Sequence, residues 1–176
     1  GGGHGREFFL RGDFIAISPG VATDLPLLEE MRERNIPILG ELALAAPYLN
    51  ECVVAVTGTN GKTTVTALIG ELLKASGKKV FVGGNIGTPL LNYLLSGERA
   101  EVLVLELSSF QRESAGFFCP HIGVLLNVTP DHLDRHKNML NYAAAKMKMF
   151  AHQKADDKAI ICSDDPMCQH IRGFLK

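Results

Sequence analysis

An α/β fold wound around parallel strands is what this sequence predicts, on three observations. Apolar runs rich in Val and Ile alternate with helical patterns almost throughout the 176 residues, the order expected of strands joined by crossover helices. Several of these runs are apolar at consecutive positions, which suits strands covered on both faces. One of them, CVVAVT at 52–57, runs straight into the glycine-rich stretch GTNGKTT and then into an amphipathic segment.

Taken in order, DFIAIS (13–18) and IPIL (36–39) read as the first two strands, with PLLEEMRERN (26–35) as the helix between them. ELALAAPYL (41–49) is a helix candidate, and a domain boundary is expected between Gly40 and Asn50, just ahead of the strand at 52–57. After that strand, Val65, Leu68, Ile69, Leu72 and Leu73 fall at helical spacing as one stripe facing a sheet. Gly77 stands where such a helix should stop. KVFV (79–82), EVLVLEL (101–107), IGVLLNV (122–128) and AIIC (159–162) complete the strands. PLLNYLL (89–95) and NYAAAKMKMFAHQ (141–153) complete the helices. In sheets of this kind ligands collect beyond the carboxyl ends of the strands.

Composition narrows the function. Hydrophobic content of 46% with 21% charged residues is ordinary for a globular protein. A net charge of -1 argues against general affinity for nucleic acid or anionic lipid. No apolar run approaches the roughly 20 residues that span a bilayer, and no signal peptide is evident. The sequence starts at Gly1 without Met and reads as a piece of a longer chain. Cys52, Cys119, Cys162 and Cys168 form no Cys-x-x-Cys pair. They are expected to be free, buried thiols in a reducing cytoplasm, with Cys52 inside a strand.

The loop after 52–57 is a shortened phosphate loop. In the common pattern a leading glycine stands five residues before the second; here that position is Val56, and the leading glycine is Gly58. The physics survives the shortening. Gly58 and Gly61 let backbone N–H groups converge on an anion, and the following helix points its positive end at it. Lys62 can reach β- and γ-phosphates, and the Thr63 hydroxyl can bind Mg²⁺. Glu106, with Ser108, Ser109 and Phe110 behind it, ends the strand at 101–107 and is a candidate Mg²⁺ ligand; capping or ion pairing would explain it equally well.

Beyond 122–128, Asp131, His132, Asp134 and His136 crowd together. The His-Glu-x-x-His zinc pattern fails there, and no cysteine is close by to complete a structural zinc site. His132 fits a Mg²⁺ and phosphate site better, and His136 reads as surface. Gly83, Gly84 and Gly87 surround Asn85 in VGGNIGTP, which misses the dinucleotide fingerprint because Thr88 replaces its third glycine. That loop, and SPGV at 18–21, are either plain turns or cradles for a second phosphorylated ligand.

SPGV, TGTNGKTT, GGNIG, ELSSFQ, NVTPDHLDRH and NYAAAKMKMF, in that order, resemble the Mur ligase family. ELSSFQ with GGNIG points to its D-glutamate-adding branch; the phosphate loop alone is shared with folylpolyglutamate synthetases and the other Mur ligases, and another Mur-type ligase is the alternative. The resemblance implies a Rossmann-like, partial N-terminal domain over 1–46, the end of a UDP-substrate-binding domain. It implies an incomplete P-loop-type parallel-sheet ATPase domain over 47–176, with the amino-acid-binding third domain absent. It implies ATP and two Mg²⁺, with Gly58, Thr59, Asn60, Gly61, Lys62, Thr63 and Thr64 on the phosphates. Thr63 and Glu106 would hold one Mg²⁺, and His132 with Lys146, as a carbamylated lysine, the other. Gly20, Asn85, Ser108 and Gln111 would meet UDP-N-acetylmuramoyl-L-alanine. D-Glutamate would be the second substrate, and the full-length enzyme a cytoplasmic monomer.

Two rivals fit less well. A GTPase switch needs an Asn-Lys-x-Asp run, which is missing, and a small-molecule kinase needs an Arg-rich lid, yet 97–112 holds only Arg99 and Arg112. A nucleotide-binding piece without catalysis is the non-enzyme reading, and measuring nucleotide affinity apart from amide formation separates the two.

Overall fold

A computed structural model of the chain describes residues 5–22, 24–131 and 138–173. Two parallel sheets organise it. In the smaller, β1 (Ile15–Ala16) pairs with β2 (Ile38–Leu39), Ile15 opposite Ile38. These strands are shorter than the expected 13–18 and 36–39, and among the described residues each pairs only with the other.

A short helix α1 (Arg6–Phe9), absent from the sequence expectation, and α2 (Pro26–Glu33) pack beside this sheet. Pro26 opens α2 at a position where its missing N–H costs nothing. The helix stops at Asn35, whose φ of 60° sets the left-handed turn. There the N–H of Ile36 returns to Met31 O and that of Asn35 to Arg32 O, a Schellman closure with Asn in place of Gly. Ile15, Leu28 and Met31 form the small core beneath.

The larger sheet has the order β4-β5-β3-β6-β7, every neighbouring pair parallel. Its strands are β3 (Cys52–Thr57), β4 (Val80–Gly84), β5 (Val102–Glu106), β6 (Ile122–Leu125) and β7 (Lys158–Ile161). Side chains alternate across the central strands. Val54, Val56 and Val104 face α4 (Lys62–Ala75), while Val53, Ala55, Leu103 and Leu105 face the opposite helices. Both faces are therefore apolar, the physical cause of the consecutive Val and Leu runs.

On that opposite face lie α3 (Glu41–Ala45), α5 (Leu90–Ser96), α6 (Ser109–Glu113), α7 (Met139–Met147) and α8 (Pro166–Arg172). They supply Leu42, Leu90, Tyr93, Tyr142, Ala143 and Ile171 to the core. A single 3-10 turn, Ala46–Tyr48, replaces the end of the helix expected over 41–49, where Pro47 lacks the N–H that a longer helix needs.

The structure corrects several expectations. On α4, Val65, Ile69 and Leu73 do face the sheet, but Leu68 and Leu72 are exposed. Thr66 and Gly70 take the buried places instead. Small residues are required there: a Cβ on Gly70 would stand 2.5 Å from Val82 Cγ2. Gly77, with φ 87°, ends the helix as expected, the N–H of Lys78 returning to Leu73 O. The helix expected over 141–153 is α7, which starts earlier and closes at Lys148.

Cys52 is exposed, Cys119 and Cys162 are half-buried, and only Cys168 is buried, so the thiols are free but not uniformly interior. Burial pushes the Cys168 thiol up to about 12. Edge strand β7 is largely exposed. Among the described residues no helix is long and apolar enough to cross a membrane.

Candidate functional site

The carboxyl ends of β3, β5 and β6 converge on one loop. Register decides which residues arrive: Val56 stands opposite Glu106 and Thr57 opposite Leu125. The chain leaving β3 thus enters its glycine loop between Glu106 on one side and Asn127 on the other. A Cβ on Gly58 would lie 3.1 Å from Leu126 Cβ and 3.4 Å from Asn127 N, so the loop is packed against the β6 side.

Gly61, at φ 79°, turns the chain into α4 and occupies its N-cap position without a side-chain cap. The first-turn N–H groups of a helix have no intrahelical acceptor, and a helix N-terminus carries partial positive charge. Left uncapped, this end can receive an anion. Lys62 opens the helix and folds back, its Nζ donating to Thr59 O at 2.8 Å.

Beside it, Thr63 Oγ1 donates to Glu106 Oε2 at 2.8 Å. Glu106 is 2% exposed, and its other oxygen, Oε1, accepts from Asn85 Nδ2 at 2.8 Å. The Asn85 N–H also donates to Glu106 O at 2.8 Å. A hydroxyl and a carboxylate at a loop that can take phosphates form an all-oxygen donor pair. That pair fits Mg²⁺, which uses few protein ligands and keeps several waters. Among the described residues no cluster of three or more His, Cys, Asp and Glu could hold a metal by itself.

Gly84 explains the double glycine ahead of Asn85. It has φ 101°, and a Cβ there would stand 2.6 Å from Glu106 O. Gly84→Ala is accordingly expected to cost on the order of 2 kcal/mol or more, through strain and the forced separation of β4 from β5. Thermal melts check this, and an unchanged Tm would show that the two strands separate freely.

Lys146 reaches the loop from below. It is 1% exposed, and its Nζ donates to Gly58 O at 2.7 Å and lies 4.3 Å from the centre of the Tyr142 ring. Lys148, two residues on, is exposed. Burying an ammonium is costly unless it is partnered, so this placement is specific.

Lys62, Thr63, Asn85, Glu106 and Lys146 are thus brought together around Gly58–Thr64. Ser108 and Gln111 sit at the start of α6 and form a capping box. Ser108 Oγ accepts from the Gln111 N–H at 3.2 Å, and the Ser108 N–H donates to Gln111 Oε1 at 3.0 Å. Gly20 is exposed in a turn after β1 that is closed by Val21 N–H to Ser18 O. His132, Asp134 and His136 lie outside the described residues.

Two participants went unread in the sequence. Asn127 and Tyr142 both grip the loop, through Thr59 and Asn60. Asn127 had a signal: it is a polar residue at the carboxyl end of a buried strand. Tyr142 had none, being one aromatic on an apolar helix face.

Residues 56–176 match the Mur ligase middle domain. The chain belongs to the Mur ligases. A relative from Desulfotalea psychrophila, named UDP-N-acetylmuramoylalanine–D-glutamate ligase, is 59% identical over 167 residues, 95% of this chain and 36% of that one. A relative of the same name from Desulfatibacillum aliphaticivorans is 47% identical, over 99% of this chain and 39% of its own. This Mur ligase chain therefore spans under two fifths of the length of these relatives.

Solved structures repeat the fold. The MurF ligase of Thermotoga maritima, in complex with ADP, has a TM-score of 0.61 at 22% identity, covering 93% of this chain and 49% of its own. A type C pseudomurein peptide ligase from Methanothermus fervidus has a TM-score of 0.57 at 25% identity, covering 96% of this chain and 35% of its own.

Proposed function

We propose that the protein to which this chain belongs is an ATP-dependent ligase that joins D-glutamate to UDP-N-acetylmuramoyl-L-alanine through an acyl phosphate, in peptidoglycan synthesis. The observation that carries the reading is the uncapped N-terminus of α4, with Lys62 at its mouth and the Thr63–Glu106 pair beside it. The names of the relatives supply the substrates. Residues 1–46 would close the UDP-substrate domain, and 47–176 would belong to the central ATPase domain. The cytoplasm, where ATP and the UDP substrate meet, is the expected location, with the enzyme a monomer.

The chemistry sets the task. A carboxylate is a poor electrophile, because oxide is not a leaving group at neutral pH. Its oxygen attacks the γ-phosphorus of ATP, the bond to ADP breaks, and the acyl phosphate forms. The amine of D-glutamate then attacks the acyl carbon, loses a proton, and expels phosphate as the amide forms. In the first step two anions must approach. Lys62 and the N–H groups opening α4 are placed to offset that repulsion. Glu106 would hold Mg²⁺ with Thr63, and Lys146 as a carbamate would hold a second with His132. When bound, these ions supply charge neutralisation at the transferring phosphoryl group. Lys146 and Tyr142 fix the loop from below, so its shape need not form during reaction.

Incubating the full-length protein with ATP, Mg²⁺ and UDP-N-acetylmuramoyl-L-alanine tests the reading. Phosphate release is expected on adding D-glutamate; release with another amino acid, or with none, overturns it. Asn85→Ala is expected to raise KM for the UDP substrate more than KM for ATP. Because Asn85 also holds Glu106, equal rises in both would assign it to orienting that carboxylate instead.

A further inference from the structure

We infer that Asn127 is a positioning residue that holds the shortened phosphate loop in its working shape before any nucleotide arrives. The inference rests on the nucleotide-binding reading of that loop and adds a residue to it.

Asn127 meets three successive peptide units of the loop with its side chain. Its Oδ1 accepts from the Thr59 N–H at 3.0 Å and the Asn60 N–H at 2.9 Å, and its Nδ2 donates to Asn60 O at 3.1 Å. The Thr59 N–H is shared with the Asn127 backbone carbonyl, also at 3.0 Å. Thr59 Oγ1 extends the grip: it accepts from the Thr129 N–H at 3.1 Å and lies 3.3 Å from the Tyr142 hydroxyl. A side-chain amide offers both donors and acceptors at fixed spacing. It can therefore satisfy a stretch of backbone as a neighbouring strand would.

The length of the loop explains the need for this. The position of the usual leading glycine is occupied by Val56, inside β3 and fully buried. The loop has fewer residues with which to curl around a phosphate. Asn127 supplies from outside the constraint that a longer loop would supply from within. It also divides the labour among the amides. Those of Thr59 and Asn60 are turned to Asn127 and away from an anion at the helix end. Phosphate is left to the N–H groups that open α4 and to Lys62. Preorganised donors cost no rearrangement when the ligand binds.

Amide hydrogen exchange on the full-length ligase tests the clamp without relying on turnover. In the nucleotide-free protein, Thr59 and Asn60 N–H should exchange slowly, and adding ADP should protect them little further. Fast exchange that ADP alone suppresses would overturn the proposal. In Asn127→Ala the same amides should exchange at least about tenfold faster, while those of Val54 and Ala55 in β3 stay protected. ADP affinity should fall about tenfold or more, with KM for the UDP substrate unchanged. If Asn127→Ala does not fold, Asn127→Asp serves, since it keeps the acceptor for both N–H groups, although it replaces the donor to Asn60 O with a carboxylate oxygen and adds a negative charge. Its two loop amides should remain slow, and fast exchange there would overturn the clamp; ADP affinity is not read in this variant, because the added charge alone would lower it.

Equal losses for both substrates would make Asn127 a general structural residue and end the proposal. Lys62→Ala separates this failure from that of the underlying reading. If wild type binds ADP, Lys62→Ala binds it poorly and Asn127→Ala binds it normally, the clamp is wrong and the loop assignment stands. If wild type binds no nucleotide, both are wrong.

Discussion

Lys62→Ala in the full-length ligase should lower kcat by about a thousandfold or more while leaving the fold intact. The two effects of the substitution differ in size. Structurally it removes one hydrogen bond, from Nζ to Thr59 O in a half-buried setting. That bond is worth about 1 kcal/mol. Catalytically it removes a full positive charge from the point where two anions must meet. A thousandfold loss corresponds to roughly 4 kcal/mol of barrier. Tm should therefore move little while turnover collapses. Near-normal turnover in a folded variant would remove Lys62 from the phosphate site.

Lys146→Ala should nearly abolish turnover, and added acetate should restore part of it. Lys146 lies on the buried face of α7 and is 1% exposed, whereas Lys148 is exposed. A carbamate forms only on a neutral amine, and it leaves one N–H on the nitrogen. The bond to Gly58 O can thus outlast the modification, while the new carboxylate becomes an oxygen ligand for a cation. Acetate supplies that carboxylate without the tether. The substitution also has a structural cost. It opens a cavity under the loop and deprives Gly58 O of this donor, together worth about 2–3 kcal/mol. Rescue is therefore the decisive readout, because acetate cannot refold a protein. Lys148→Ala should change neither activity nor rescue. Normal activity of Lys146→Ala in carbonate-free buffer would leave Lys146 with a packing role alone.

The elements that the sequence reading located best are those whose signal is local. β3 is legible to the residue, and β5 nearly so, because strands covered on both faces are apolar at almost every position. α6 and α8 have no apolar period in the sequence, although both carry capping signatures: Ser108 with Gln111, and Asp165 ahead of Pro166. Short helices bury too few residues for an apolar period to register. The stripe on α4 failed for a different reason. Leu68 and Leu72 are more apolar than Thr66 and Gly70, but the space above Val82 admits only a small side chain. Hydropathy ranks residues; clearance decides which of them face the sheet.

By itself the sequence determined the parallel α/β class, the strand–loop–helix unit and the chemistry available at the loop. Those depend on residue type and on periods of 2 and 3.6, which are written within a few positions. Only the tertiary structure decided which residues meet there. Thr63 reaches Glu106 across 43 positions, Asn60 reaches Asn127 across 67, and Lys146 reaches Gly58 across 88. Such pairings are set by strand register. Val56 beside Glu106 and Thr57 beside Leu125 bring both sides of the site to the loop. Register follows from the packing of helices on both faces of the sheet, which no local pattern encodes.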